Sequence, residues 1–392
     1  MSNSKHNFYS VNPIQPNLPR FIERPGKKFI EYGDDNLYPQ FVASLFYKSA
    51  INRTAIQSKL DGVIGQGLRT LKEDQQYVLN RANPFESWNE VFEKVALDYI
   101  TFGGIAINVI WDQAGENIAE IYHVDFTKVR SGFHSQETDK VEEYLFSSNW
   151  GEYRKELFKP RSFPAYNPAK ADEHPSQIWY WFDYEPGNLW YPLPSYAGSL
   201  NDIQIDIETS KFHISNLANS LNPSLFIGLN NGIPEPESRE EIYDELMMAY
   251  RGSENAGKAF IAFSQDREHA PDIIPIPSQN SDYYVNLESR ITTRILTGHR
   301  ITSPLLLGLY HQGGSGLGSN KDEIMVAYEH FISTVVKPIQ KNLLKVFDNL
   351  FSYYGYDSAL YIEPNKLFEA NEVTIADEEE KTEVDNTSLN NQ

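Results

Sequence analysis

An α+β fold is predicted for this 392-residue chain. Apolar residues recur at the helical period over three stretches: Tyr38–Val63, Ser87–Thr101 and a long run after Asn320. Two short runs rich in β-branched residues, IAINVIW from Ile105 and IAEIYHV from Ile118, flank a turn at Gln113–Asn117 and read as a hairpin. No internal repeat is present, and no parallel βαβ alternation surrounds the glycine-rich stretch near residue 313.

Each element follows from local signals. Residues 1–33 are rich in Pro, Asn and Lys without a period, which predicts an extended N-terminal arm. Phe41, Leu45, Ala50, Ile51, Ile56, Leu60 and Val63 give the apolar stripe of one helix over Tyr38–Val63, and Gly65 and Gly67 end it. Trp88, Val91, Phe92, Val95, Ala96 and Tyr99 form the inward face of the next, which Gly103 and Gly104 terminate. Residues 140–196 alternate aromatic and polar residues among many prolines and read as short strands and loops. A helix is predicted over Asp202–Leu221, a strand at SLFIGL from Ser224, and a helix after Pro234 with Ile242, Leu246, Met247 and Tyr250. Strands follow at Lys258–Phe263 and Ile273–Pro277, then a helix at Tyr283–Leu296.

The stretch from Ile291 to Phe351 is the most informative. An apolar run ends at Pro304, a glycine-rich loop spans Gly308–Ser319, and an amphipathic helix starts abruptly with Ile324, Ala327, Tyr328, Phe331, Ile332, Val335, Val336 and Ile339 inward. Ser319 or Asn320 can cap it, with Asp322 and Glu323 as capping-box partners. Pro338 removes a backbone donor and predicts a kink, beyond which Leu343, Val346, Phe347 and Leu350 continue the stripe. A glycine-rich loop held between two strong helices points to a moving part on a rigid frame. From about Asn371 the chain is acidic and poor in large apolar residues, the composition of a disordered tail.

Composition excludes several functions. Cysteine is absent, so no disulfide framework and no thiol chemistry is available. No run approaches the roughly 20 apolar residues of a membrane span, and the N-terminus lacks the pattern of a signal peptide, so a non-membrane, unsecreted chain is expected. The formal net charge is −20. A specific DNA binder clusters Lys and Arg against phosphates, and no such cluster is present. An acidic surface repels DNA over about 8–10 Å in physiological salt, which argues against a tight, specific DNA binder but not against a channel through which DNA slides without sticking.

Motifs that resemble catalytic or cofactor sites fail on context. Gly252–Lys258 has P-loop spacing, but Ala259 stands where the motif needs a hydroxyl for Mg²⁺, and a helix precedes and a strand follows, the reverse of a P-loop. It reads as a Gly/Asn turn. Gly313–Gly318 has the look of a dinucleotide loop without the preceding βαβ strand or later acidic residue. His123, His213, His299, His311 and His330 are scattered, with no metal-ligand spacing. No catalytic residue, metal or cofactor is therefore expected, and the chain reads as a non-enzyme. The aromatic segment 178–196 offers Trp179, Trp181, Trp190 and Tyr191 either as a carbohydrate-stacking platform or as strand core and subunit interface, with packing the commoner use.

The order of these parts resembles the portal (head–tail connector) proteins of tailed bacteriophages over roughly residues 34–352. Tyr32–Leu68 is similar to the family's N-terminal wing helix and Asp98–Arg130 to its helix–hairpin. Ala249–Phe263, with an Asn-Ala-Gly-Lys turn leading into a strand, resembles its clip, Pro304–Ser319 its tunnel loop, and the helix containing Val336-Lys337-Pro338 its long kinked helix.

The resemblance implies a portal fold. Its parts would be an arm at 1–33, a wing at 34–197, stem helices at 198–219 and 278–300 around a clip at 220–277, a tunnel loop at 301–319, a kinked helix at 320–366 with a reduced crown, and an acidic tail at 367–392. The first stem helix is expected to be short. The subunits would form a ring, usually a dodecamer, at one capsid vertex of the virion, assembled in the host cytoplasm. Its expected partners are the major capsid protein, the terminase large subunit, head-completion or adaptor proteins and double-stranded DNA held without sequence specificity. Leu309, His311, Gln312, Gly313, Gly314, Ser315 and Gly316 would face DNA. Lys321 would touch phosphate at the loop base or stand as a solvated first-turn lysine. Arg239, Glu240, Tyr243, Asn255 and Lys258 would form the clip surface that meets terminase or adaptor.

Overall fold

A computed structural model describes residues 19–138, 140–219, 225–229, 232, 234–249, 259–264, 281–307, 321–356 and 359–365. The chain divides into two compact units, one built from the segments up to Leu200 and from Ile295 onward, the other from Asn201–Arg294. Both units mix helix and strand.

The first unit opens with strands β1 (Phe21–Glu23) and β2 (Ile30–Tyr32), an antiparallel hairpin. The extended arm expected up to residue 33 is therefore replaced, from Phe21, by paired strands. Ile30 and Tyr32 are buried, Tyr32 stacks on Tyr191 at 4.1 Å, and Phe21 meets both rings edge-on, so aromatic packing organises a segment with no period of its own.

The single helix expected over Tyr38–Val63 is two, α1 (Tyr38–Lys48) and α2 (Ala50–Ile64). Ser49 separates them in an extended conformation, and its hydroxyl accepts from the Asn52 N–H at 3.2 Å. A serine that can cap a new helix breaks a continuous apolar stripe. Strand β3 (Leu68–Thr70) follows. Helix α3 (Trp88–Phe102) starts at the Ser87/Glu90 capping box and stops at Gly103, whose left-handed φ of 85° suits glycine. The hairpin forms as read: β4 (Gly104–Trp111) pairs antiparallel with β5 (Ile118–His123).

Strands β6 (Val129–Ser131), β7 (Glu143–Phe146) and β8 (Arg161–Pro164) make a second antiparallel sheet, and β9 (Ser176–Phe182) joins the other edge of β4. Ile105, Ile107 and Val109 of β4, which has neighbours on both sides, are all buried.

In the second unit, α4 (Leu200–Asn219) and α6 (Ser281–Gly298) run antiparallel, because Asp202 pairs with Arg294 and His213 with Glu288. The helix expected to be short, α4, has 20 residues against 18 in α6. Between them β10 (Leu225–Leu229), α5 (Pro236–Ala249) and β11 (Ala259–Phe263) form a parallel βαβ unit, with Leu225 opposite Ala259 and Leu229 opposite Phe263. The strand expected at Ile273–Pro277 lies outside the described residues.

The first unit closes with α7 (Lys321–Phe331), a π-helical turn at Ile332–Val336, α8 (Lys337–Ser352) and β12 (Leu360–Ile362). The kink expected at Pro338 takes the form of that π turn: the Lys337 N–H donates to the Ile332 carbonyl, five residues back, just before the residue that has no N–H to give. The helix expected to run to residue 366 ends at Ser352, and β12 pairs antiparallel with β3. Trp88, fully buried, meets Phe347, Phe351 and Tyr354 edge-on at 5.2–6.1 Å and ties α3 to α8. Burying one such ring stabilises by about 1.5–3 kcal/mol.

Candidate functional site

The sequence points to the loop between α6 and α7, and the first unit supplies both of its feet. On one side α6 ends at Gly298, followed by His299, Arg300 and Ile301 and a 3-10 turn at Pro304–Leu307 that packs against α2 and α7. On the other, α7 begins at Lys321. Leu309, His311, Gln312, Gly313, Gly314, Ser315 and Gly316 lie outside the described residues. Lys321 is placed in the first turn of α7.

The first foot is locked by packing. A Cβ on Gly298 would stand 2.3 Å from the Ser199 Oγ, so the helix approaches that serine as closely as glycine allows. His299, fully buried, stacks on Tyr196 at 4.3 Å, and its Nε2 lies 2.9 Å from the Asn52 Oδ1 of α2. This bond ties the imidazole to the Asn52 side-chain amide. Burial, reinforced by Lys59, pushes His299 well below its ordinary pKa, so the ring is neutral. Lys59 is itself buried, and desolvation with the nearby Arg300 lowers its ammonium to about 7. Arg300 adopts a left-handed φ of 59°, which turns the chain out of α6. In sequence His299 reads as an ordinary polar or partly buried histidine flanking the loop rather than as a ligand. Its signal was the pair Asn52 and Lys59, two polar residues seven apart within the apolar stripe of α2.

The second foot is braced through the π turn. Gly62 of α2 lies under Val336, where a Cβ would come within 2.9 Å of a valine methyl. Gln340 donates from Nε2 to the carbonyls of Gly62 and Val63 at 3.2 and 3.1 Å, satisfying acceptors near the end of α2. Both feet of the loop thus rest on α2.

In the second unit, Arg239 and Glu240 are exposed on α5, and the Arg239 Nε donates to the Pro234 carbonyl at 2.7 Å. Tyr243 is on the same helix, while Asn255 and Lys258 lie outside the described residues. Helix α5 precedes and β11 follows the Gly252–Lys258 segment, so a helix leads into a strand. A phosphate loop runs the other way.

The aromatic segment packs on protein. Trp179 stacks on Tyr166 at 4.3 Å, Trp181 on Tyr99 at 5.9 Å, Tyr191 is buried against Tyr32, and Trp190 meets Phe21 and His134 edge-on. Two polar sites, one fully buried and one half-buried, were not legible. Arg130 is fully buried without a carboxylate, donating to Asn36 Oδ1 and to the carbonyls of Asn36, Thr127 and Val129, with its guanidinium 4.9 Å from the Trp150 ring. Asp98 accepts from the Phe126 N–H and pairs with His123 at 2.7 Å, and burial raises its carboxyl. Each satisfies its own neighbourhood, and no cluster with metal-binding composition occurs among the described residues.

No protein-family model and no curated protein matches the sequence. Solved structures do. The chain shares its fold with chains of gene transfer agent particles. One, from the virion of a native particle, aligns over 89% of this chain and 90% of its own length at a TM-score of 0.58 and 13% identity. A chain from the neck of an empty particle, computed with C6 symmetry, covers 84% and 86% at 0.57 and 14%. A third, from the neck of a native particle with C12 symmetry, covers 86% and 87% at 0.55 and 16%.

Proposed function

We propose that this chain is the portal subunit of a phage-like particle. It forms a closed ring at one capsid vertex, through which the terminase packages DNA and to which head-completion or adaptor proteins attach. The observation that carries this reading is the shared fold over nearly the full length of chains from particle necks, one of them of C12 symmetry. It agrees with the independent order of sequence parts that resembles portals.

The loop fits such a role physically. A conduit must hold DNA weakly and without reading bases, so polar residues such as His311, Gln312 and Ser315 on a chain of net charge −20 suit it better than a basic groove. Both flanking segments rest on α2, so the frame on either side of the loop is fixed. The reading is non-enzymatic, needs no cofactor, and places the protein in the virion.

Electron microscopy and light scattering of the purified chain are expected to reveal closed rings with a central channel; a stable monomer would count against the proposal. Deleting His311–Gly318 is expected to leave rings intact and impair DNA packaging or retention. Normal packaging by that variant would remove the loop from the mechanism. No ATP turnover is expected, and turnover abolished by Lys258→Ala would overturn the non-enzymatic reading.

A further inference from the structure

Helix α8 carries a charge pattern that the proposed function leaves unused. Lys337, Lys341 and Lys345 are exposed and recur every four residues, so they form one row slightly inclined to the helix axis. At 1.5 Å rise per residue the row is about 12 Å long. It borders a shallow depression of about 560 Å³ lined also by Gln340, Leu344 and Asp348. Among the described residues none of the three lysines takes part in an ion pair, although the chain carries 54 acidic residues against 34 Lys and Arg. Three neighbouring ammonium groups repel one another, and a row of them is relieved by an anionic segment laid along it.

The chain itself brings such a segment to the spot. Asn365, the last described residue, donates from Nδ2 to the Asp61 carbonyl of α2 at 3.2 Å. The next two carbonyls of α2, those of Gly62 and Val63, accept from Gln340, which lies in the lysine-bordered depression. The chain therefore leaves the described structure within a turn of helix of that depression. Residues 366–392 hold eight acidic and two basic side chains, with four consecutive carboxylates at Asp377–Glu380. Twelve residues from Asn365 to Asp377 reach up to about 40 Å, and four extended residues span about 10–13 Å, close to the length of the lysine row.

We propose that the acidic C-terminal segment Asp377–Glu380 docks on the Lys337–Lys341–Lys345 row of its own chain. The contact is electrostatic and exposed, so it weakens as salt shortens the screening length from about 10 Å at 0.1 M to about 3 Å at 1 M. It rests on the charge row and the exit point, not on ring formation.

Zero-length carbodiimide cross-linking of the full chain, read by mass spectrometry, tests it. Cross-links from Lys337, Lys341 or Lys345 to Asp377–Glu380 are expected at 50 mM salt, with a loss of at least about threefold at 1 M. They should vanish in the triple Lys→Gln variant and, independently, when Asp377 becomes Asn and Glu378, Glu379 and Glu380 become Gln. In a mixture of isotopically light and heavy protein the links should join peptides of one label. Links found only between labels would place the segment on another copy and overturn the same-chain contact. Tail links spread evenly over other exposed lysines such as Lys211, or absent altogether, would overturn the docking.

Discussion

Gly298→Ala probes the frame that holds the loop. The new Cβ would lie 2.3 Å from the Ser199 Oγ and 2.6 Å from its Cβ. The hydroxyl can rotate away only by giving up its bond to the Tyr196 carbonyl at 2.9 Å, and the Cβ is fixed to a buried backbone. Overpacking of this kind costs about 1–3 kcal/mol. Alanine regains up to about 1 kcal/mol of helix propensity, less at a helix end. The expected net loss is about 1–2 kcal/mol, and Tyr196, whose ring carries His299, is displaced with it. Urea denaturation at fixed protein concentration measures the loss as a shift in midpoint without a change in slope. Ser199→Gly removes the atoms in conflict, so the double variant should be less destabilised than the sum of the single changes by at least about 1 kcal/mol. Wild-type stability for Gly298→Ala, or strict additivity in the cycle, would refute the close approach.

Lys59→Met should change the pH dependence of stability. The ammonium is held down at about 7 in the fold but titrates near 10.4 unfolded, so between these values the unfolded state binds more protons and stability rises with pH. The methionine variant loses that rise and gains on the order of a few kcal/mol at and below neutral pH; a difference from wild type that stays constant from pH 7 to 10 would argue against a buried, destabilised ammonium. Ser87→Ala removes the capping box of α3 and should cost about 1 kcal/mol in thermal or urea unfolding, while Ser87→Asp should retain most of it. Gln340→Leu leaves two carbonyls of α2 without their donor and should cost about 1–2 kcal/mol, together with faster hydrogen exchange at the end of α2.

What could be read from sequence was what local chemistry decides. Ser87 with Glu90, Gly103 and the Ile105/Ile118 hairpin are signals within a few residues, and the structure places them as read. The break at Ser49 was present as a capping residue but hidden inside an unbroken apolar stripe. Pairings between distant segments were not legible, because no local signal marks Tyr32 for Tyr191 or Leu68 for Ile362. The loop was legible as a glycine-rich interruption, whereas its foundation was not: Asn52 and His299 are 247 residues apart. Arg130 shows the same limit, since a lone arginine in sequence gives no sign that carbonyls and an indole will enclose it.

The pairing of β3 with β12 also sets a timetable. Arg69 of β3 bonds to Glu363 beside β12 across a separation of 294 residues. At about 5–20 residues per second of synthesis, β3 waits about 15–60 s for its partner to leave the ribosome. For that interval the nascent polypeptide shows a bare strand edge of the kind that recruits foreign strands. At three residues the edge is short, which limits the hazard while translation finishes.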